Sequence, residues 1–282
     1  MIVEKKIDNF NMTLDISDGG ISRVLYTVGG REKLFMSMLR NTIKPGMTCV
    51  DLGANIGYTT LYMLEKVGPD GQVYAIEPDQ HNIDLLTKNV NNNSFENICE
   101  IERCAISSAD GNLDFWIASQ PNLNSVKRTK HSIRKEVVNC YTLETFLKNK
   151  KYPNFIKMDV EGHEVKILEG AYNYFKNNEG TTSFLIEVHP HYYDEDNNFA
   201  EVIRKYFKIG FKPKYAVSTP VAKPKIIVDA GYEPVMSVKT DGFVRGLYKD
   251  MKEDDFVNFS CYEHKEGTSK KVIRSIMLSR EV

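Results

Sequence analysis

Apolar positions along this chain fall into two alternating patterns, short continuous blocks and stretches of helical spacing. Leu34, Met38 and Leu39 share one face of a helix expected over 30–42, which Pro45-Gly46 ends. An apolar block at 48–52 reads as a strand, followed by a helix near 56–67 and a strand near 72–77. A helix near 79–91 stops at Asn91-Asn92-Asn93-Ser94, and a third strand is expected near 98–103. The rhythm resumes with helices near 142–149, 163–177 and 198–208, and strands near 154–159, 183–189 and 211–217. Strands alternating with helices of this length predict a parallel sheet. Right-handed crossovers then bring every strand C-terminus to one edge, where ligands bind.

Three stretches break the rhythm. At the start, Leu14 and Ile16 alternate with polar residues before Ser17-Asp18-Gly19-Gly20, so 10–28 reads as a short β segment and turns. Between 107 and 140, Asp110-Gly111-Asn112 signals a turn and 113–117 a strand. Residues 118–134 are then polar and basic, with Lys127, Arg128, Lys130 and Arg134, which suits either a solvated loop or a lid over a substrate. After 218, Pro220, Pro224 and Pro234 interrupt the chain, and 243–248 and 272–278 read as the strands of an antiparallel closing hairpin. The expected organisation is an N-terminal extension over 1–45, a core over 46–220, and strands with a small cap over 221–282 that complete the same domain.

At 282 residues the chain can bury one large α/β core with additions. A formal net charge of -1, with both signs interspersed, gives no general electrostatic footprint for nucleic acid or an anionic membrane. The five cysteines form no C-x-x-C pair and no cluster with histidine, as expected of reduced thiols in a cytoplasmic protein. The first residues lack the apolar region of a secretory signal, and no apolar run approaches the roughly 18 residues of a membrane span. The expected partner is therefore neither a nucleic acid nor a bilayer.

The chemistry concentrates at two strand ends. Asp51-Leu52-Gly53-Ala54-Asn55-Ile56-Gly57 joins the first core strand to its helix, and Glu77 ends the next strand, 24 residues after Gly53. Glycines permit turns that a Cβ would block, here for backbone approach to a ligand, and an acid at the second position suits the two hydroxyls of a ribose. A dinucleotide fingerprint needs G-x-G-x-x-G so that a pyrophosphate can rest on a helix N-terminus. This chain has Asn55 where the second glycine would stand. The pattern G-x-N-x-G with an acid at each strand end resembles motif I of class I S-adenosylmethionine-dependent methyltransferases, whose cofactor carries no phosphate. A nicotinamide or flavin fold is the competing reading.

The fourth and fifth core strands end in Ile156-Lys157-Met158-Asp159-Val160-Glu161-Gly162-His163-Glu164 and Ile186-Glu187-Val188-His189-Pro190. They deliver Asp159, Glu187 and His189 to neighbouring positions on one edge. The stretch IKMDVEGHEVKILEGA resembles the FkbM family of methyltransferases, and LDISDGGISRVL, KPGMTCVDLGANIGYTTLY and VGPDGQVYAIEPD fit the same family in the expected order. The resemblance runs from about residue 12 to 190; 118–134 and the tail after about 220 are unmatched. It implies a Rossmann-like class I fold with a mostly parallel seven-stranded sheet, helices on both faces, and a closing antiparallel hairpin. It also implies S-adenosylmethionine-dependent O-methylation, commonly of a sugar hydroxyl in a glycan, glycolipid or glycosylated natural product.

By the same resemblance, Asp51, Gly53, Ala54, Asn55 and Gly57 line the methionine side, Glu77 holds the ribose, and Cys104-Ala105 flank the adenine. Asp159 faces the methionine amino group or the reaction centre, with Glu32 a weaker candidate for the rim. For catalysis, His189 is the first candidate base, since its ordinary pKa lies near working pH, with Asp159 and Glu187 beside it. The plain alternative is that His189 packs before Pro190. Asp159 and Glu187 are also hard oxygen donors that suit Mg²⁺, and His163 could join either scheme. Glu161 either shapes the turn or takes part in the chemistry, and Tyr192, Tyr193 and Tyr215 could stack on a sugar. The readings in competition are a nicotinamide-type oxidoreductase and a catalytically idle cofactor-binding module.

Overall fold

A computed structural model describes residues 1–17, 19–120 and 123–282. Asp18 of the expected turn, and Pro121 and Asn122 of the basic excursion, lie outside the described residues. The chain opens with a hairpin, β1 (Ile2–Ile7) and β2 (Phe10–Asp15), followed by α1 (Ile21–Val28) and α2 (Lys33–Thr42). Then come β3 (Thr48–Leu52), α3 (Tyr58–Val67), β4 (Gln72–Ile76), α4 (Gln80–Asn91) and β5 (Cys99–Glu102). The excursion holds β6 (Ala105–Ile106), β7 (Gly111–Ala118) and β8 (Ser132–Tyr141), which form their own three-stranded sheet. The rhythm resumes with α5 (Leu143–Leu147), β9 (Phe155–Met158), α6 (Glu164–Asn177), β10 (Thr182–Glu187), α7 (Phe199–Lys208) and β11 (Lys212–Ser218). The tail contributes α8 (Lys225–Asp229), β12 (Met236–Thr240), β13 (Phe243–Lys249), α9 (Glu253–Cys261) and β14 (Ile273–Arg280).

The main sheet has nine strands in the order β12-β13-β11-β14-β10-β9-β3-β4-β5. The pairs β3–β4, β4–β5, β3–β9 and β9–β10 are parallel, and β10–β14, β14–β11, β11–β13 and β13–β12 are antiparallel. The α/β class is as expected; the seven-stranded count is not. β14 inserts between β10 and β11 rather than pairing with β13 as a closing hairpin. The turn at Asp241-Gly242 closes β12 on β13 and adds two strands beyond β11. Another local difference is α1, a single short amphipathic helix where turns are expected. It buries only Ser22 and Leu25, too few positions to reveal a period.

Both faces of the sheet are covered, so its strands read as apolar blocks rather than alternating ones. On β3, Val50 and Leu52 enter one core with residues of α6, α7 and α9, while Cys49 enters the other with residues of α2, α3 and α4. Two core helices start on side-chain caps: Asp79 accepts from His81 N at 2.9 Å and Asn198 from Glu201 N at 3.0 Å, each worth about 1 kcal/mol. All five cysteines are free. Among the described residues, no helix is long and apolar enough to cross a membrane. The strand order reverses between β3 and β9, and such a switch point opens a crevice at the strand C-termini.

Candidate active site

The turn after β3 is built on a cross-strand pair. Asp51 and Lys157 are register partners in the parallel β3–β9 ladder. Asp51 is fully buried; its Oδ2 accepts from Thr59 Oγ1 at 2.9 Å and Thr60 Oγ1 at 2.7 Å, and its Oδ1 lies 3.0 Å from Lys157 Nζ. Burial disfavours the Lys157 ammonium, but Asp51 and Asp159 outweigh it and hold the pKa above its ordinary value. Lys157 Nζ also donates to Gly53 O at 2.7 Å and so pins the turn from below. Gly53 sits at φ 75°, and a Cβ there would lie 2.2 Å from Asp159 O; at Gly57 it would lie 2.6 Å from Leu86 Cδ1. Both glycines thus leave room for neighbouring elements, Gly53 for the Asp159 carbonyl and Gly57 for Leu86 of α4. Asp51 and Gly57, expected on the methionine side, do not line the cavity; they brace the turn that does.

A cavity of about 370 Å³ opens at the switch point, within the size range of small-molecule sites. Gly53, Ala54, Asn55, Glu77, Cys104, Ala105 and Asp159 line it, as do Glu32 and Glu187. Glu77 is buried. Its Oε2 accepts from Asn55 N at 2.8 Å and its Oε1 from Asp79 N at 2.9 Å, leaving further lone pairs on both oxygens. Burial pushes its carboxyl up to about 7, against the two backbone N–H groups that favour its charge. Asn55 holds a left-handed φ of 51°. Burial, with the charge of Glu102, pushes the Cys104 thiol up to about 12, so it is no nucleophile at neutral pH.

The basic excursion returns over this cavity. Leu123, Asn124 and Val126 line it. Asn124 Nδ2 donates to Asp79 Oδ2 at 2.7 Å and its Oδ1 accepts from Ala118 N at 2.8 Å, while Lys127 Nζ donates to Tyr192 O at 3.2 Å. None of Tyr192, Tyr193 and Tyr215 lines the cavity. Tyr193 instead accepts from His189 N at 2.9 Å and donates to Glu164 Oε2 at 3.3 Å.

At the far end, acids and cations interleave. Glu32 pairs with Arg31 and lies 2.8 Å from Arg274, and these two guanidiniums overcome its burial and hold its carboxyl down at about 2. Arg274 Nη2 also reaches Glu187 Oε2 at 3.0 Å, and Lys271 Nζ is 3.8 Å from Glu187 Oε1. Burial and the charge of Asp159 raise the Glu187 carboxyl in spite of Arg274. His189 is buried behind this wall and does not line the cavity. Its Nδ1 lies 2.7 Å from Glu164 Oε1, and its Nε2 lies 3.5 Å from Glu161 Oε2. Burial opposes its charge, but Glu164, Glu187 and Glu161 outweigh burial and raise it to about 9. A raised pKa and a place behind the wall, off the cavity, both count against His189 as the base. His163 goes the other way: burial lowers it to about 4, and its Nε2 lies 3.0 Å from Ser107 Oγ.

Asp159, Glu187 and His189 do offer ligand atoms within 4.8 Å of one another. Both Glu187 oxygens face cations, however, Arg274 at 3.0 Å and Lys271 at 3.8 Å, and His189 Nδ1 is already taken by Glu164 at 2.7 Å. The donor set does not fit Mg²⁺; Arg274, Lys271 and His189 supply the positive charge instead.

The sequence model of the methyltransferase FkbM domain matches residues 51–213, the span that carries the turn, Glu77, the Asp159 edge and Glu187. The chain belongs to the FkbM methyltransferase family. Among solved structures it is similar to methyltransferase FkbM from Methylobacillus flagellatus KT, at 16% identity over 76% of this chain and 50% of that one, with a TM-score of 0.43. This chain thus spans half the length of that protein. It is also similar to a SAM-dependent O-methyltransferase from Thermotoga maritima, at 13% identity over 100% of this chain and 78% of that one, TM-score 0.45. A third is the O-methyltransferase from Bacillus cereus in complex with SAH, at 10% identity over 89% and 80%, TM-score 0.42. No curated protein matches the sequence.

Three residues of this site escape sequence reasoning. Lys157 is visible only as a charge inside the apolar strand FIKM, a misfit that points to a buried partner. Arg274 lies on β14, in the unmatched tail. Glu164 reads as a helix-dipole acid, yet it is fully buried and accepts from Gly162 N at 3.1 Å as well as facing His189.

Proposed function

We propose that this FkbM methyltransferase transfers the methyl group of S-adenosylmethionine to a hydroxyl of a sugar in a glycan, glycolipid or glycosylated natural product. The observation that carries the reading is one continuous cavity with a buried carboxylate, Glu77, at one end and a carboxylate edge, Asp159, Glu161 and Glu187, at the other. Glu77 has acceptor capacity left for the two ribose hydroxyls. Asn55, where a dinucleotide fold needs glycine, disfavours a pyrophosphate. Gly53, Ala54 and Asn55 border the methionine side, Cys104 and Ala105 the adenine, and Asp159 the amino group. The bound cofactor supplies an electrophilic methyl on a sulfonium. The protein aligns the hydroxyl oxygen with it, an effect that can contribute roughly 7–11 kcal/mol, and the carboxylate edge receives the hydroxyl proton, worth about 10²–10⁴-fold. The polar lining of Arg31, Glu32, Glu187 and Arg274, two acids against two cations, suits a hydroxylated acceptor.

The test is calorimetric titration with S-adenosylhomocysteine, with NADH as the control, followed by incubation of tritiated S-adenosylmethionine with a panel of hexosides and glycans. Binding of S-adenosylhomocysteine alone, with label on a sugar, is the expected result. Binding of NADH alone would overturn the reading in favour of an oxidoreductase. Cofactor binding without label on any sugar would remove the sugar acceptor and favour an idle module.

A further inference from the structure

We infer that Glu161 is the catalytic group that takes the hydroxyl proton, and that the buried His189–Glu164 pair positions it. The inference deepens the methyl-transfer reading and rests on it. Three carboxylates of the sheet edge line the cavity, and they are not equivalent. Glu187 has Arg274 at 3.0 Å on one oxygen and Lys271 at 3.8 Å on the other. Asp159 stands in the field of Lys157 and Arg274, and its carbonyl packs against Gly53. Glu161 is the one whose nearest positive partner is a histidine held behind it, with Nε2 3.5 Å from Oε2.

The support behind Glu161 is built. Glu164, fully buried, fixes the His189 ring through Nδ1 at 2.7 Å and is itself fixed by Gly162 N and Tyr193 Oη. Its Nε2 then faces Glu161 at 3.5 Å and Glu187 at 3.9 Å. The backbone at Glu161 is left-handed, with φ 49°, a conformation that costs a non-glycine residue energy and persists where the surroundings impose it. Ser125 Oγ, from the excursion that covers the cavity, donates to Glu161 O at 3.2 Å and holds that turn. A carboxylate kept in a strained turn, on the cavity wall, with an imidazole behind it, is placed for chemistry rather than for the turn. The charged and titratable groups that face it are His189, Asp159, Glu187, Glu164, Lys271 and Tyr192. Burial and the three acids raise its carboxyl to about 7 against His189, which matches a general base to neutral pH.

In the step, the hydroxyl oxygen forms its bond to the methyl carbon as the carbon–sulfur bond breaks and its electron pair stays on sulfur. The O–H bond breaks with it, and the proton passes to a Glu161 oxygen. Glu161, now neutral, returns the proton to water through the open mouth, and His189 keeps its own proton throughout.

The first test needs no acceptor. S-adenosylmethionine is cationic at sulfur and S-adenosylhomocysteine is not, so a carboxyl beside the reacting centre releases its proton to the buffer when the first binds and not when the second does. Calorimetry at pH 7 in buffers of different ionisation enthalpy reads the difference. It is expected at up to about half a proton, since a group of pKa about 7 is half protonated there. The difference vanishes in Glu161→Gln and persists in Glu187→Gln. A difference that survives Glu161→Gln, or none in the wild type while both ligands bind, overturns the assignment. Binding of neither ligand overturns the methyl-donor reading, and this inference with it. On a hexoside that the labelled donor identifies, Glu161→Gln lowers single-turnover transfer by about a hundredfold or more at unchanged S-adenosylhomocysteine affinity, and Glu161→Asp recovers part of it. A loss of less than about threefold would overturn the role. In His189→Gln the pH midpoint of transfer moves upward, which a purely structural role for His189 would not produce.

Discussion

The Lys157 ammonium lies 3.0 Å from the Asp51 carboxylate, and the two residues are direct partners across the β3–β9 ladder beneath the glycine turn. Removing one member of a buried pair leaves the other uncompensated, at a cost of about 3–5 kcal/mol. Lys157→Met is expected to lower the urea midpoint accordingly and to weaken S-adenosylhomocysteine binding, because Gly53 O loses its donor. The double variant with Asp51→Asn should lose less than the sum of the singles. Strict additivity in the denaturation curves would show that the pair does not act as a unit.

Glu77 is expected to make cofactor affinity pH-dependent. Its carboxyl is raised to about 7 in the free protein, and ribose hydroxyls donate best to the ionised form. Binding near pH 6 should therefore release protons, and affinity should weaken as pH falls from about 7 toward 5. Glu77→Ala is expected to cost on the order of 1.5–3 kcal/mol in binding, about tenfold or more, and to flatten the pH dependence. Titration of both proteins at two pH values decides it, and an unchanged Kd in the variant would refute the ribose role.

The stability of the free protein should decline with rising pH through these groups. Glu77 and Glu161 have folded pKa values near 7, above the ordinary 4.5, so their contribution is complete below about 4.5 and is lost as pH rises through 7. His189, raised from 6.5 to about 9, adds stability below about 6.5 that is lost as pH rises through 9. Glu32, held at about 2, acts oppositely and only at acid pH. Thermal melts of wild type and His189→Gln should therefore converge above pH 9 and diverge below it. Curves that run parallel across that range would show the imidazolium is not stabilised by the fold.

Chelation should leave the protein unaffected. Arg274 and Lys271 already face both oxygens of Glu187. Methyl transfer and S-adenosylhomocysteine binding are expected to survive EDTA unchanged. Activity lost to EDTA and restored by Mg²⁺ would mean that the cations rearrange to admit an ion.

An acid that ends an apolar block is legible without a structure, which is why Glu77, Asp159 and Glu187 emerge as edge residues from the sequence alone. The alternating blocks also give β3, β4, β9 and β10 nearly to the residue. Pairing partners are another matter. Residues 243–248 and 272–278 both read as strands, but nothing local states that β11 separates them. The charge of His189 depends on Glu164, 25 positions earlier in sequence, and on a burial that spacing does not encode. Gly53 and Gly57 look like ligand-contacting glycines because the pattern is the same whether a cofactor or a neighbouring strand needs the space. The basic residues of 118–134 read as solvated; Leu123, Asn124 and Val126 turn inward through the Asn124–Asp79 bond and the Trp116–Ser125 backbone pair.

Arg274 neutralises Glu32 and Glu187 from β14, the last strand of the main sheet in chain order, which slots between two strands already made. Synthesis runs from the N-terminus, so a growing chain holds Glu77 and the turn with its Asp51–Lys157 brace well before it holds Arg274. Until β14 arrives, β10 and β11 lack the strand that joins them and the acids at the mouth repel one another. The Glu77 end of the cavity therefore rests on residues synthesised early, and the Glu32–Glu187 end on a strand synthesised last.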